Sequence, residues 1–291
     1  MGELVHYDQP QSITRANTDA QLITMFLANK GSDNTRKTYT KALEQFFQFV
    51  GCDLSQITVD DVIAYKQHLE SLYTSDHTVK LKLNAVKSLL TFAQEVGYIR
   101  FNVAKVVKAP KAETVIEDKV LSEAQVFDLL AKTTNQRDNL LIRLMYASGG
   151  RVSDISGLIW GDVKDGYIIF RHRKGDKVGR VALSDDTMGR LRSFKPIGAT
   201  DDQAVFQTKY QGQVKAMGRN TIYRQIRRIG ERCGIQGLHP HMFRHSHATH
   251  ALQRGASIHV VKETLGHSNI ATTNTYLHTL EGESSAKHLA V

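Results

Sequence analysis

The sequence predicts a mainly α-helical protein with a small β-sheet, arranged as two domains. Three observations predict it. A chain of 291 residues exceeds the roughly 100–200 residues of one ordinary domain. Apolar residues recur at helical spacing along most of it, and between residues 167 and 183 the period shortens to that of strands.

Residues 1–18 are polar and aperiodic and are expected to form a flexible or loosely docked arm. From 19 to 105 the pattern is that of a helical bundle. Tyr39, Leu43, Phe46, Phe47 and Val50 share one helix face, with Asn34 as the expected N-cap and Gly51 as the stop. Thr58 followed by Asp61 reads as the start of a helix through Val62, Tyr65 and Leu69. A further helix carries Val79, Leu83, Val86, Leu90 and Ala93 and ends near Gly97. Residues 106–120 mix charge with Pro110 and show no stable period, as expected of a linker.

The second domain, 121–291, opens with Ser122 and Gln125 in capping-box spacing. A helix through Leu140, Leu141, Leu144 and Met145 runs into Gly149-Gly150-Arg151. Tyr167–Phe170 and Arg180–Leu183 read as two strands joined through Lys174-Gly175-Asp176, which puts a lysine at the tip of a hairpin. Helices then resume, one with Ile222, Ile226, Ile229 and Cys233 inward and Arg224, Arg227, Arg228 and Arg232 on other faces.

Composition narrows the function. A net charge of +9 and a pI near 9.4 favour a polyanionic partner, because lysines and arginines that neutralise phosphates release condensed counterions. Two helical stripes in the first domain fit that partner: Lys37, Lys41, Gln45 and Gln48, then Lys80, Asn84, Lys87 and Thr91. Such side chains reach phosphates and base edges, although a polar stripe by itself is more often a solvated face. Cys52 and Cys233 lack metal or disulfide spacing and suit a reducing cytoplasm. The longest apolar run, Leu140–Ala147, is interrupted by Arg143 and is too short to span a bilayer, so no membrane partner is expected.

The chemistry-bearing residues lie in the second half. His241-Met242-Phe243-Arg244-His245 contains HxxR, a spacing that chance readily supplies. Leu265-Gly266-His267, Thr272-Thr273 and Tyr276 follow, with His267 and Tyr276 nine residues apart. This resembles the LGHxxxxTTxxY signature of the tyrosine recombinase, or phage integrase, family. Gly150-Arg151-Val152-Ser153-Asp154 is similar to that family's first-arginine motif, and the Lys174 hairpin stands where its catalytic lysine does. Gly150 departs from a usual apolar residue, and Met242-Phe243 from a usual Asp-Leu.

The resemblance implies a SAM-like core-binding domain followed by an α+β catalytic domain, with Arg151, Lys174, His241, Arg244, His267 and Tyr276 as catalytic residues. A phenol of pKa about 10 attacking an anionic phosphodiester needs positive charge where the phosphorane gathers negative charge. Two guanidinium forks supply it, here Arg151 and Arg244. His241 would accept the phenolic proton, His267 would donate to a phosphate oxygen, and Lys174 would protonate the leaving 5′-oxygen. Lys177 competes with Lys174 for that place. Asp154 and His245 would orient these groups.

Because a phosphotyrosine conserves the energy of the broken bond, no cofactor or metal is expected. The histidines 239, 241, 245, 247 and 250 include i, i+4 pairs with metal-ligand spacing but have no companion carboxylate or thiolate in motif spacing. The implied partners are double-stranded DNA carrying a specific site, further copies of the chain (a dimer on one site, a tetramer in synapsis) and accessory proteins. The implied location is the cytoplasm, at the nucleoid. The polar segment Leu280–Val291 resembles the tail that docks on a neighbouring protomer in this family. A two-domain chain looks more like a Xer-type or resolvase enzyme than an integrase with an extra arm-binding domain. A type IB topoisomerase and a catalytically silent DNA-binding regulator remain as alternatives.

Overall fold

The computed structural model describes residues 13–111, 120–173, 177–266 and 273. The chain divides into two compact units, Met1–Thr114 and Val115–Val291.

The described residues of the first unit form the helices α1 (Asp19–Ala28), α2 (Asp33–Val50), α3 (Val59–Leu72) and α4 (Asp76–Glu95). Its ends follow capping chemistry. Thr58 and Asp61 satisfy each other's backbone amides in a reciprocal capping box, and Gly51 closes α2 with φ of 64°. The cap of α2 is Ser32, not the expected Asn34: Ser32 is extended and its hydroxyl accepts from the Thr35 amide at 3.1 Å, which leaves Asn34 inside the first turn. The expected α4 face, Val79, Leu83, Val86, Leu90 and Ala93, is fully buried with Leu22, Phe26, Leu43, Phe46 and Tyr65. Packing continues on both sides of 19–105. The Ile13 amide donates to the Val96 carbonyl at 3.1 Å, and a 3₁₀ turn at Val103–Val106 leads Val107 and Ala109 onto the same core.

The second unit runs α5 (Glu123–Lys132), α6 (Gln136–Ser148), α7 (Val152–Ser156), β1 (Tyr167–Arg173), β2 (Lys177–Ala182), α8 (Asp185–Phe194), β3 (Gln207–Tyr210), β4 (Gln213–Ala216), α9 (Arg219–Cys233), α10 (Pro240–Gln253) and α11 (Ile258–Leu265). Ser122 and Gln125 form the expected capping box on α5. Helix α6 buries Leu140, Leu141, Ile142, Leu144 and Met145 in the core, while Arg143 between them turns to Asp186 at 2.8 Å. Strands β1 and β2 pair antiparallel, Tyr167 with Ala182 and Ile169 with Arg180, with an irregularity between Phe170 and Arg173. Strands β3 and β4 form a second two-stranded sheet, so the expected single small sheet is accompanied by another. Ile222, Ile226 and Ile229 of α9 are buried, while Arg224, Arg227, Arg228 and Arg232 are exposed. Ala248, Leu252, Val261 and Leu265 join α10 to α11. Among the described residues, no helix is long and apolar enough to cross a membrane.

Candidate active site

The first component is the turn after α6. Gly149 ends that helix with φ of 58°, and a Cβ there would stand 2.6 Å from Leu265 Cδ2 and 2.8 Å from His247 Cδ2. Gly150 has its own reason to lack a side chain, since a Cβ would lie 2.9 Å from Phe170 Cζ. Here the departure from the usual apolar residue is explained: Phe170 occupies that space. Arg151 then starts α7, where the Asp154 carboxylate, 7% exposed, accepts the Arg151 backbone amide at 3.0 Å. Arg151 Nη1 is buried and has no hydrogen-bond partner among the described residues.

The second component is the start of α10. Pro240 takes the first helical position, where its missing amide costs nothing, and His241 and Arg244 follow one turn apart on one face. Arg244 is 4% exposed; its Nη1 donates to the Gly149 carbonyl at 2.7 Å and its Nη2 to the Leu265 carbonyl at 2.8 Å. The guanidinium thus ties α10 to the ends of α6 and α11. Phe243 fills the core and Met242 packs against it, so the residues within HxxR that depart from Asp-Leu serve packing.

Although part of His241 faces solvent, loss of hydration holds its imidazole below the usual 6.5, and His239, Arg244 and Arg151 push the same way. Both arginines therefore lie within electrostatic range of one neutral imidazole, which can accept a proton at neutral pH. His245 is half-buried with its ring 6.5 Å from that of His241, and His239 stacks on Tyr223 at 6.4 Å. Among the described residues, no group of three His, Cys, Asp or Glu is arranged to hold a metal.

Lys174, His267, Tyr276 and the segment Leu280–Val291 lie outside the described residues. The elements bordering them are described: β1 and β2 flank residues 174–176, Gly266 ends α11 with φ of 65° just before His267, and Thr273 is fully buried. In the first unit, Lys37, Lys41 and Asn84 are exposed and Lys80 is half-buried. Gln45 and Lys87 are engaged internally: Gln45 Oε1 accepts from Lys82 Nζ at 2.7 Å, and Lys87 Nζ donates to the Val107 carbonyl. Sequence reasoning missed Tyr146. Its hydroxyl meets His250 Nδ1 at 2.9 Å and its carbonyl meets His247 Nδ1 at 2.8 Å, binding α6 to α10. The available signal was spacing, because His247 and His250 repeat the three-residue step from Arg244 and so share its face.

Comparison with known proteins agrees with this architecture. Residues 119–283 match the phage integrase family, and residues 21–93 match the N-terminal SAM-like domain of phage integrases. The chain belongs to the phage integrase family, the tyrosine recombinases. Tyrosine recombinase XerC of Mycobacterium sp. (strain JLS) is 31% identical over 280 residues, covering 88% of this chain and 92% of that protein. A lambda integrase dimer bound to a COC′ core site has a TM-score of 0.73 at 18% identity, over 91% of this chain and 95% of that one. A lambda integrase tetramer bound to a Holliday junction has a TM-score of 0.72 at 16% identity, over 88% and 75%. At those identities the likeness to the integrase structures is one of fold.

Proposed function

We propose that this protein is a site-specific recombinase that cuts and rejoins DNA through a 3′-phosphotyrosine on Tyr276. The observation that carries the reading is the buried Nη1 of Arg151, without a hydrogen-bond partner among the described residues, in a site it shares with the pinned Arg244 and with His241, whose imidazole is held below its usual value. Burying a guanidinium donor without a partner is costly, and a scissile phosphate oxygen would satisfy it.

In the proposed reaction the Tyr276 oxygen attacks the phosphorus as His241 takes the phenolic proton. Arg151 donates to nonbridging oxygens. Arg244, with two donors already holding protein carbonyls, contributes charge in a fixed plane. His267 donates to a phosphate oxygen, and Lys174 gives the 5′-oxygen its proton as the P–O bond breaks. Asp154 holds the start of α7, and His245 supports His241. The reverse step, attack by a 5′-hydroxyl from another duplex, exchanges strands without ATP or a metal, because the phosphotyrosine keeps the energy of the broken bond.

Double-stranded DNA would enter against the first unit through Lys37, Lys41 and Asn84, with Lys80 and, after release of their internal bonds, Gln45 and Lys87. The integrase structures, one a dimer on a core site and one a tetramer on a Holliday junction, support a dimer on each site and a tetramer in synapsis for this chain. With DNA as its substrate, the cytoplasm and its nucleoid are the proposed location, and accessory proteins would set directionality.

A nicked suicide substrate tests the reading. The parent should form a denaturant-resistant adduct, and Tyr276→Phe should bind the same site without forming one. An equal adduct from Tyr276→Phe would reassign the nucleophile, no adduct from the parent would leave a DNA-binding regulator, and site-independent plasmid relaxation would mark a topoisomerase.

A further inference from the structure

Helix α6 ends by the simple left-handed stop: Gly149 has φ of 58° and its amide donates to the Met145 carbonyl at 3.1 Å. In the fuller form of this stop, the amide of residue 149 would take the Tyr146 carbonyl and that of residue 150 the Met145 carbonyl. Here the Gly150 amide donates instead to Ser148 Oγ at 3.1 Å, which turns the chain out of the helix toward Arg151. Neither glycine amide therefore closes the Tyr146 carbonyl. His247 does, with Nδ1 2.8 Å from that oxygen.

A carbonyl only accepts, so the proton of this bond is on Nδ1. Burial holds the His247 imidazole below the usual 6.5, and Arg244 and His250 add to the effect against the opposing pull of the Tyr146 bond. One turn before His247, Arg244 Nη1 holds the Gly149 carbonyl at 2.7 Å; one turn after it, His250 Nδ1 meets the Tyr146 hydroxyl at 2.9 Å. Three side chains on one face of α10 thus hold segment 146–149, the last stretch before Gly150 and Arg151. The His247 ring also fills the space beside Gly149, where a Cβ would come within 2.8 Å of it.

We propose that His247 is a positioning residue for strand cleavage: by closing the Tyr146 carbonyl it lets the chain leave α6 early and fixes where Arg151 enters the site. It acts on the phosphate through Arg151, so the inference rests on the placement of Arg151 in the phosphate clamp. The imidazole does two separable things, donating through Nδ1 and filling volume. Phenylalanine keeps the volume and loses the donor. Asparagine places an amide nitrogen close to the Nδ1 position and restores the donor at smaller volume.

The test measures single-turnover adduct formation on the suicide substrate at saturating enzyme, with the DNA half-saturation concentration, the adduct amplitude and the melting temperature recorded for each protein. His247→Phe is expected to lower the rate constant about tenfold, the effect of leaving one buried carbonyl without its donor, while half-saturation stays within about twofold. His247→Asn is expected to recover most of the rate even where its melting temperature is the lower of the two. A purely structural role would reduce amplitude and melting temperature together and leave the rate constant alone, and that pattern overturns the proposal. A parental rate in His247→Phe overturns it as well, as does an equal loss in both variants. Should His247→Phe fail to fold, His247→Met, which is flexible and also lacks the donor, takes its place against His247→Asn with the same readings. An Arg151→Ala variant that cleaves at the parental rate would instead overturn the clamp assignment, and a parent that forms no adduct would overturn the recombinase reading itself.

Discussion

Replacing Gly150 with alanine tests whether the turn that delivers Arg151 is shaped by the packing behind it. The added Cβ would stand 2.9 Å from Phe170 Cζ, 3.1 Å from Phe170 Cε2 and 3.1 Å from Ser148 Oγ. Phe170 is 2% exposed inside the core, so its ring cannot turn into solvent, and overpacking of this kind costs about 1–3 kcal/mol. Gly150 has no positive φ, so no backbone strain adds to the cost, and the stiffer unfolded chain returns about 0.4–1 kcal/mol. The net loss is about 1–2 kcal/mol, or roughly 2–8 °C in melting temperature for a unit of this size. Phe170→Leu removes the ring atoms that clash, so the double variant should be more stable than the two single effects summed, by a coupling of about 0.5–3 kcal/mol. Denaturant unfolding of the parent, both single variants and the double variant measures that coupling. Additive effects would refute the argument that Gly150 is a glycine because of Phe170.

The pair illustrates what a sequence conceals. Gly150 is conspicuous, but nothing in the order of residues says that a phenylalanine twenty positions later lies against it. The helices were legible because their signals are local: Thr58 with Asp61 and Ser122 with Gln125 are three-residue patterns that work wherever they fall. The cap of α2 was harder, since Ser32, Asp33 and Asn34 are all competent caps in a row and only the extended backbone at Ser32 decides among them. Strands β3 and β4 escaped because they have four residues each and do not alternate apolar with polar; β4 is exposed throughout, so no core face marks its register.

The site divides in the same way. His241 and Arg244 were legible as a pair because a three-residue step puts both on one face of any helix. The groups that Arg244 and His247 grip are backbone carbonyls of Gly149, Leu265 and Tyr146, and a carbonyl has no letter in the sequence. The histidines beyond Arg244 have metal-ligand spacing but no companion carboxylate or thiolate in motif spacing, and their spacing alone does not disclose that Tyr146 engages two of them, His247 through its carbonyl and His250 through its hydroxyl.

Two predictions concern protons. Burial holds the imidazoles of His241, His247 and His250 below the usual 6.5. As pH falls below about 6.5 the unfolded chain therefore takes up protons that the folded one resists, and the stability present above that pH is lost until the folded values are passed. Melting temperature should fall between pH 7.5 and 5.5 and adduct formation should fall with it as His241 becomes unable to accept the phenolic proton; a flat profile in both would remove the neutral-histidine account. The other prediction separates Lys174 from Lys177 as the acid for the 5′-oxygen. Residues 174–176 join β1 to β2, whereas Lys177 is the first residue of β2 and pairs with Arg173 in the ladder. The two lysines thus differ in backbone setting, and the leaving-group chemistry tells them apart. A general acid contributes about 100- to 10,000-fold, so Lys174→Ala should slow cleavage of ordinary DNA by that order. Replacing the bridging 5′-oxygen with sulfur gives a leaving group that needs no proton, and cleavage by Lys174→Ala should then largely recover. Arg151→Ala should stay slow on both substrates, because the charge it stabilises is on the nonbridging oxygens whatever atom leaves. Sulfur rescue of Lys177→Ala, with none for Lys174→Ala, would move the acid three residues on, to Lys177 in β2.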